Sequence, residues 1–222
     1  MCLYGFLAIH LLDSVQEVFF NDKKDLIPKI EETEAKIDQL HKAVKAYAED
    51  IIRPGISDDA ARMLTLYVAS SGNIERIGDY GKKLLEYYAY RQNRPKDFSQ
   101  QAMTELSGMY AEAHHAIVTA LDGFINDDPD KAREVAPIAG KLRGLEVELR
   151  NRHIQRLDKQ ECDSETGLVY VDILGIIEHI AIIRIMSPRL PFPPARRSTR
   201  RRRKQIPRKG GVPKSPPALP AK

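Results

Sequence analysis

The sequence predicts an all-α protein: two tandem three-helix units in an elongated bundle, followed by a disordered basic tail rich in Pro and Arg. Three observations carry this. Apolar residues recur at helical spacing through six segments parted by polar or Pro/Gly-containing turns. The second three segments repeat the first three at nearly constant offsets. With six Phe, nine Tyr and no Trp among many Leu, Ile and Ala, the composition suits helix packing better than strands. The units are expected at residues 1–93 and 98–186, and the tail at 187–222.

The first helix is expected from about Leu3 to Phe20, where Asn21-Asp22 breaks the pattern. A long second helix runs from about Lys24 to Ile52, with Pro28 near its first turns, where proline is tolerated. Arg53-Pro-Gly-Ile-Ser57 reads as a turn. Ser57-Asp-Asp then caps the third helix with acids at its positive end, and that helix reaches about Tyr90. Gln92 to Asp97 is a polar connector. The fourth helix spans about Phe98 to Ile125, and Asn126-Asp-Asp-Pro-Asp130 ends it. The fifth covers roughly Lys131 to Leu157, with Pro137 expected to bend it. Asp163 to Gly167 reads as a loop, and the sixth helix is expected to start near Leu168 and stop near Met186, shorter than the third.

The repeat is visible in the residues themselves. Phe19-Phe-Asn-Asp22 recurs as Phe124-Ile-Asn-Asp127 at an offset of 105, which also places Ile37 and Leu40 on Leu142 and Leu145. At an offset of 103, Tyr67-Val68, Gly72, Ile74-Glu75 and Ile77 recur as Tyr170-Val171, Gly175, Ile177-Glu178 and Ile180. A two-residue difference in one loop accounts for the change.

The net charge of +4 conceals an asymmetry. From Ser187 onward there are 12 Lys/Arg and no acid, which leaves 23 basic against 31 acidic residues in the body. Two cysteines, Cys2 and Cys162, make neither a disulfide framework nor a metal-ligand spacing, so a reducing compartment is expected. No apolar run is read as approaching the roughly 20 residues of a membrane span. The apolar start, Met1 to Leu12, lacks a basic leader region and reads as a core helix.

The most informative stretch is Asn73-Ile-Glu-Arg-Ile-Gly-Asp-Tyr-Gly-Lys-Lys-Leu-Leu-Glu86. Glu75 and Asp79 stand four residues apart, so their carboxylates share one helix face, beside the small residues Gly72 and Gly78. Glu34 and Asp38 repeat the spacing upstream. Four carboxylates on two neighbouring helices suit a hard cation such as iron, manganese, magnesium or calcium, without selecting among them. Each pair alone also reads as a solvated face, since such a like-charge pair costs only about 0.2–0.5 kcal/mol. In the second unit Glu34 maps to Ala139, Asp38 to Arg143 and Asp79 to Ile182, and only Glu178 survives. A metal site therefore belongs to the first half.

The tandem layout with Glu34-x-x-x-Asp38-Gln-Leu-His41 and Asn73-Ile-Glu-Arg-Ile-Gly-Asp79 resembles the PhoU family of bacterial phosphate control, over about Val15 to Ala181. His153-Ile-Gln-Arg-Leu157, Glu161-Cys162 and Gly167-Leu-Val-Tyr-Val-Asp-Ile-Leu174 look most like the PhoU-type domain that follows the membrane part of Na/Pi cotransporters. The resemblance implies a non-catalytic regulator with multinuclear metal clusters on acidic helix faces. The metal ligands it implies are Glu34, Asp38, Glu75 and Asp79, and the cofactors are divalent or trivalent ions. It also implies a phosphate transporter or sensor protein, or a membrane transporter domain, as partner, with self-association open. It implies a cytoplasmic location, extending to the inner face of the membrane. Arg143 and Ile182 depart from the family pattern and put a second cluster in question.

Other features are weaker. Glu112-Ala-His-His115 gives one Glu-x-x-His without a partner motif, so a helix-surface histidine pair is expected. His41, one turn after Asp38, is open between a further ligand, a supporting donor and a surface histidine. Cys162 lies beside acids, which disfavour a thiolate nucleophile. No Gly-rich phosphate loop, Ser-His-Asp set or zinc-type cysteine cluster is present. The run Arg196 to Lys204 supports a rival reading, binding of nucleic acid or an anionic membrane. It has no aromatic interleaving beyond Phe192, so nucleic acid is not the expected partner. A carboxylate-metal bundle enzyme ranks below both. The change of composition inside the second motif, after Ala181, is expected to mark a reading-frame change, with another frame resuming with an Asp.

Overall fold

The computed structural model describes residues 2–52, 56–94, 97–126, 128–162 and 164–183. They form six α-helices: α1 (Cys2–Asn21), α2 (Ile27–Ile51), α3 (Asp58–Gln92), α4 (Gln100–Asn126), α5 (Pro129–Asp158) and α6 (Ser164–Ile182). No strand occurs among the described residues. The Pro54-Gly55 turn, Asp127, the tail and its expected disorder, and the end of the second unit from 184 onward lie outside the described residues.

Local chemistry explains the boundaries. After α1 the chain turns at Asp22, with φ of 58°, a left-handed conformation that Asp tolerates. The next residues, Lys24–Leu26, form a 3-10 turn, so α2 starts three residues later than expected, with Pro28 in its first turn where no N–H is needed. The Ser57 side chain accepts from the Ala60 N–H and caps α3, and the Asp128 carboxylate accepts from Asp130 and Lys131 N–H and caps α5. One boundary differs by more than a turn. α6 begins at Ser164, so Ser164 to Gly167, read as loop from its Gly and polar residues, is helix.

Within each unit three helices pack mutually, and the units meet through α1 against α4 and α3 against α6. One continuous apolar core results. Leu11, Leu12 and Val15 of α1 share it with Ile74, Ile77 and Leu84 of α3, Leu106, Met109 and Ile117 of α4, and Ile173, Leu174 and Ile177 of α6. Leu3–Asn21 is long and apolar enough to cross a membrane, contrary to the absence of such a run read from the sequence. Tyr4, Ala8, Leu11, Leu12, Val15, Val18 and Phe19 of that helix are buried in the core.

Candidate metal face on α2 and α3

α2 and α3 run antiparallel, and the register of their seam follows from the two glycines. A Cβ on Gly78 would lie 3.4 Å from Ile37 Cγ2 and 3.7 Å from Glu34 Cγ, and one on Gly72 would lie 3.4 Å from His41 Cε1. The glycines thus admit side chains of α2. Between these two contacts, Glu75 of α3 lies at the level of Asp38 of α2. From below, the Tyr4 hydroxyl of α1 is shared between the backbone carbonyls of Ile37 and Ser71, each at 3.0 Å, which ties all three helices at this depth.

The electrostatics are those of crowded like charge. Burial raises the Glu75 carboxyl above its ordinary range, and Asp79 and Asp38 add to the rise while His41 and Arg76 oppose it. Lysines answer part of the charge: Lys42 Nζ lies 2.6 Å from Asp38 and Lys82 Nζ 3.4 Å from Glu34. His41 Nδ1 lies 2.9 Å from Ser71 Oγ, which itself donates to the Val68 carbonyl, so this ring nitrogen is the donor to Ser71. The four predicted residues therefore lie along one α2–α3 seam, Asp38 near Glu75 and Glu34 near Gly78. Among the described residues no three His, Cys, Asp or Glu side chains are gathered closely enough to hold an ion. The oxygen-donor chemistry fits a hard cation, and both competing lysines are exposed enough to swing aside.

The second unit resolves the same charge problem differently. Arg143 and Glu178, the repeat partners of Asp38 and Glu75, form an ion pair with Nε to Oε1 at 3.1 Å. A built-in cation stands where the first unit has a second acid. The other histidine motif is also accounted for: His114 Nε2 contacts Asp13 of α1 at 2.7 Å and Glu112 pairs with Lys141 of α5.

A second polar cluster escaped sequence reasoning. The Glu105 side chain of α4 is 8% exposed and accepts hydrogen bonds from Arg156 Nη1 and Nη2 of α5 at 3.1 and 2.9 Å, and from the Tyr170 hydroxyl of α6 at 2.7 Å. His153 stacks on the Tyr170 ring with centroids 4.8 Å apart, and its Nδ1 lies 4.0 Å from Cys162 Sγ. So Cys162 has an imidazole beside it as well as the acids seen in sequence. The signal available was the position of His153 and Arg156 on the buried stripe that Leu142 and Leu149 define.

A family model described as "PhoU domain" matches residues 3–88 and 106–183. A curated relative, the "Phosphate-specific transport system accessory protein PhoU homolog 1" of Thermotoga maritima, is 23% identical over 176 residues, covering 79% of this chain and 75% of its own length. Among solved structures, PhoU from Pseudomonas aeruginosa superposes with a TM-score of 0.73 at 17% identity, over 81% of this chain and 85% of that one. The phosphate transport system regulatory protein PhoU from Streptococcus pneumoniae gives 0.69 at 17% identity, over 81% and 84%.

Proposed function

The chain belongs to the PhoU domain family, and from that premise we propose that it is a non-catalytic, cytoplasm-facing regulator of phosphate transport or signalling. It acts through a protein partner, a transporter or a sensor, and the residues of its second half favour a partnership with a Na/Pi-type membrane transporter domain. The observation that carries the metal part of this reading is Glu75, raised by burial and by two flanking acids on the α2–α3 seam. Such charge is relieved by a cation, which Glu34, Asp38, Glu75 and Asp79 would hold. The ion would supply positive charge that locks α2 to α3, and the chain's own part is to present oxygen donors on a rigid, glycine-lined seam. Metal analysis of protein purified without chelator tests it: the wild type retains a stoichiometric metal, and Glu75→Ala/Asp79→Ala loses it. For regulation, deletion should alter phosphate uptake and phosphate-responsive expression, and unchanged values of both would count against the assignment.

A further inference from the structure

The α2–α3 hairpin of the first unit reaches well past the helix that it packs on. The Tyr4 hydroxyl meets α2 at Ile37 and α3 at Ser71, and α1 starts close by, at Cys2. From that level α2 runs on to Ile51 and α3 returns from Asp58, so the hairpin extends about 20 Å further. The internal repeat shows how the equivalent stretch is covered in the second unit. At the offset of 105 Cys2 falls on Ser107, and α4 starts seven residues ahead of that point, at Gln100. Those turns, with the connector before them, lie over the end of α5 and the start of α6. Phe98 stands edge-on to Tyr170 with ring centroids 5.9 Å apart, Ala102 is buried, and Glu105 is bound to Arg156 and Tyr170.

Beneath that cover Leu149, Arg156 and Tyr170 are buried. Their repeat equivalents in the first unit, Val44, Ile51 and Tyr67, are all partly exposed. Leu40 and Tyr47 stand four and three residues from Val44, and Met63 stands four from Tyr67, so they border the same face. All three are exposed, Tyr47 at 66%. An open apolar face of this kind marks an interaction surface. Its charges are sorted as well. Residues 40–48 and 60–70 carry Lys42, Lys45 and Arg62 and no acid. The tip, residues 49–59, carries Glu49, Asp50, Asp58 and Asp59 against Arg53 alone. A stretch of +3 behind a tip of −3 is complementary to itself when a second copy is turned end for end. Acid then meets base on both sides of the two-fold axis, whereas a parallel copy would set acid on acid.

We propose that a second copy of the chain docks on this hairpin. Two hairpins pack antiparallel about a two-fold axis into a four-helix bundle, each covering the other's Val44, Ile51 and Tyr67 as α4 covers their equivalents in the second unit. The apolar face lies beyond the seam carboxylates, so dimerisation should persist in Glu75→Ala/Asp79→Ala whether or not the metal reading holds. Sedimentation velocity of the full chain tests the proposal. A reversible monomer–dimer equilibrium with Kd of about 10 µM or tighter is expected. Tyr47→Glu/Met63→Glu should weaken it by about tenfold or more while circular dichroism stays helical, since both side chains are exposed in the single chain. The charge pattern supplies a second measurement. Lys45→Glu/Arg62→Glu sets acid against acid in the dimer, and Glu49→Lys/Asp58→Lys sets base against base, so each variant alone should sediment as a monomer. Mixed in equal amounts, the two should form a heterodimer, because every patch then meets its opposite. A wild type that stays monomeric at about 100 µM, a dimer that survives Tyr47→Glu/Met63→Glu, or folded reversed variants that fail to pair when mixed would overturn the proposal.

Discussion

His153 is where burial has the clearest thermodynamic consequence. Burial, and then the neighbouring Arg156, hold its pKa below the usual imidazole value, with Glu105 opposing. The folded state thus resists a proton that the unfolded chain accepts. Stability is full above the unfolded pKa of roughly 6.5 and is lost as pH falls from there through the lower folded pKa. Glu105 extends the loss at lower pH: burial alone would raise its pKa, but hydrogen bonds from Arg156 and Tyr170 outweigh that and lower it. Its contribution is therefore present above the ordinary carboxylate range and fades below it. Urea midpoints measured between pH 8 and 4 in phosphate-free buffer should fall in two stages, and His153→Gln should flatten the first stage only. Tyr4 gives a simpler case. Its hydroxyl is held above the ordinary tyrosine range by burial, then by Glu75 and Asp38, and it bonds helix carbonyls that keep their own i+4 partners. Tyr4→Phe should cost only about 1 kcal/mol in chemical denaturation.

Between helices, the packing of α1 on α3 turns on Gly81. A Cβ there would overlap Leu11 Cδ2, and Leu11 is fully buried in the core. Gly81→Ala gains about 1 kcal/mol of helix propensity and loses about 1–3 kcal/mol to overpacking, so a net fall in Tm is expected by thermal melts. An unchanged or higher Tm would mean that α1 slides freely on α3. This scale is also where the sequence could be read well. Asn21-Asp22, Ser57-Asp-Asp and Asn126 to Pro129 each marked a helix end through local chemistry. The offsets of 105 and 103 bring Asp38 beside Glu75 and Arg143 beside Glu178 at equivalent points of the two seams. The start of α6 was missed because Gly167 reads as a breaker. Its missing side chain instead makes room for the His153 ring, a tertiary reason that no local pattern contains. Likewise Glu105 is one charged residue among many in the sequence, and only its burial beside Arg156 sets it apart.

Across the whole molecule the two units share a fold and differ in how they neutralise one carboxylate. Glu75 faces further acids, while Glu178 faces Arg143. An ion pair supplied by the chain is permanent, whereas on the first seam Lys42 and Lys82 answer Asp38 and Glu34, and the proposed ion would answer Glu75. Metal should therefore stabilise the chain through its first half alone. Titrating metal-stripped protein with manganese or iron is expected to raise Tm in the wild type and in Arg143→Ala/Glu178→Ala. In Glu75→Gln/Asp79→Asn the metal-free Tm should already be higher, because the repulsion is gone, and added metal should raise it no further. Arg143→Ala alone should lower the metal-free Tm, since it leaves Glu178, 17% exposed, without its partner, at a cost of about 1 kcal/mol. If the ion instead engaged Glu178, removing Arg143 would increase the metal bound per chain. A stoichiometry that rises in Arg143→Ala would therefore show that the arginine is a plug over a second site, and one that stays constant that it has replaced the ion for good.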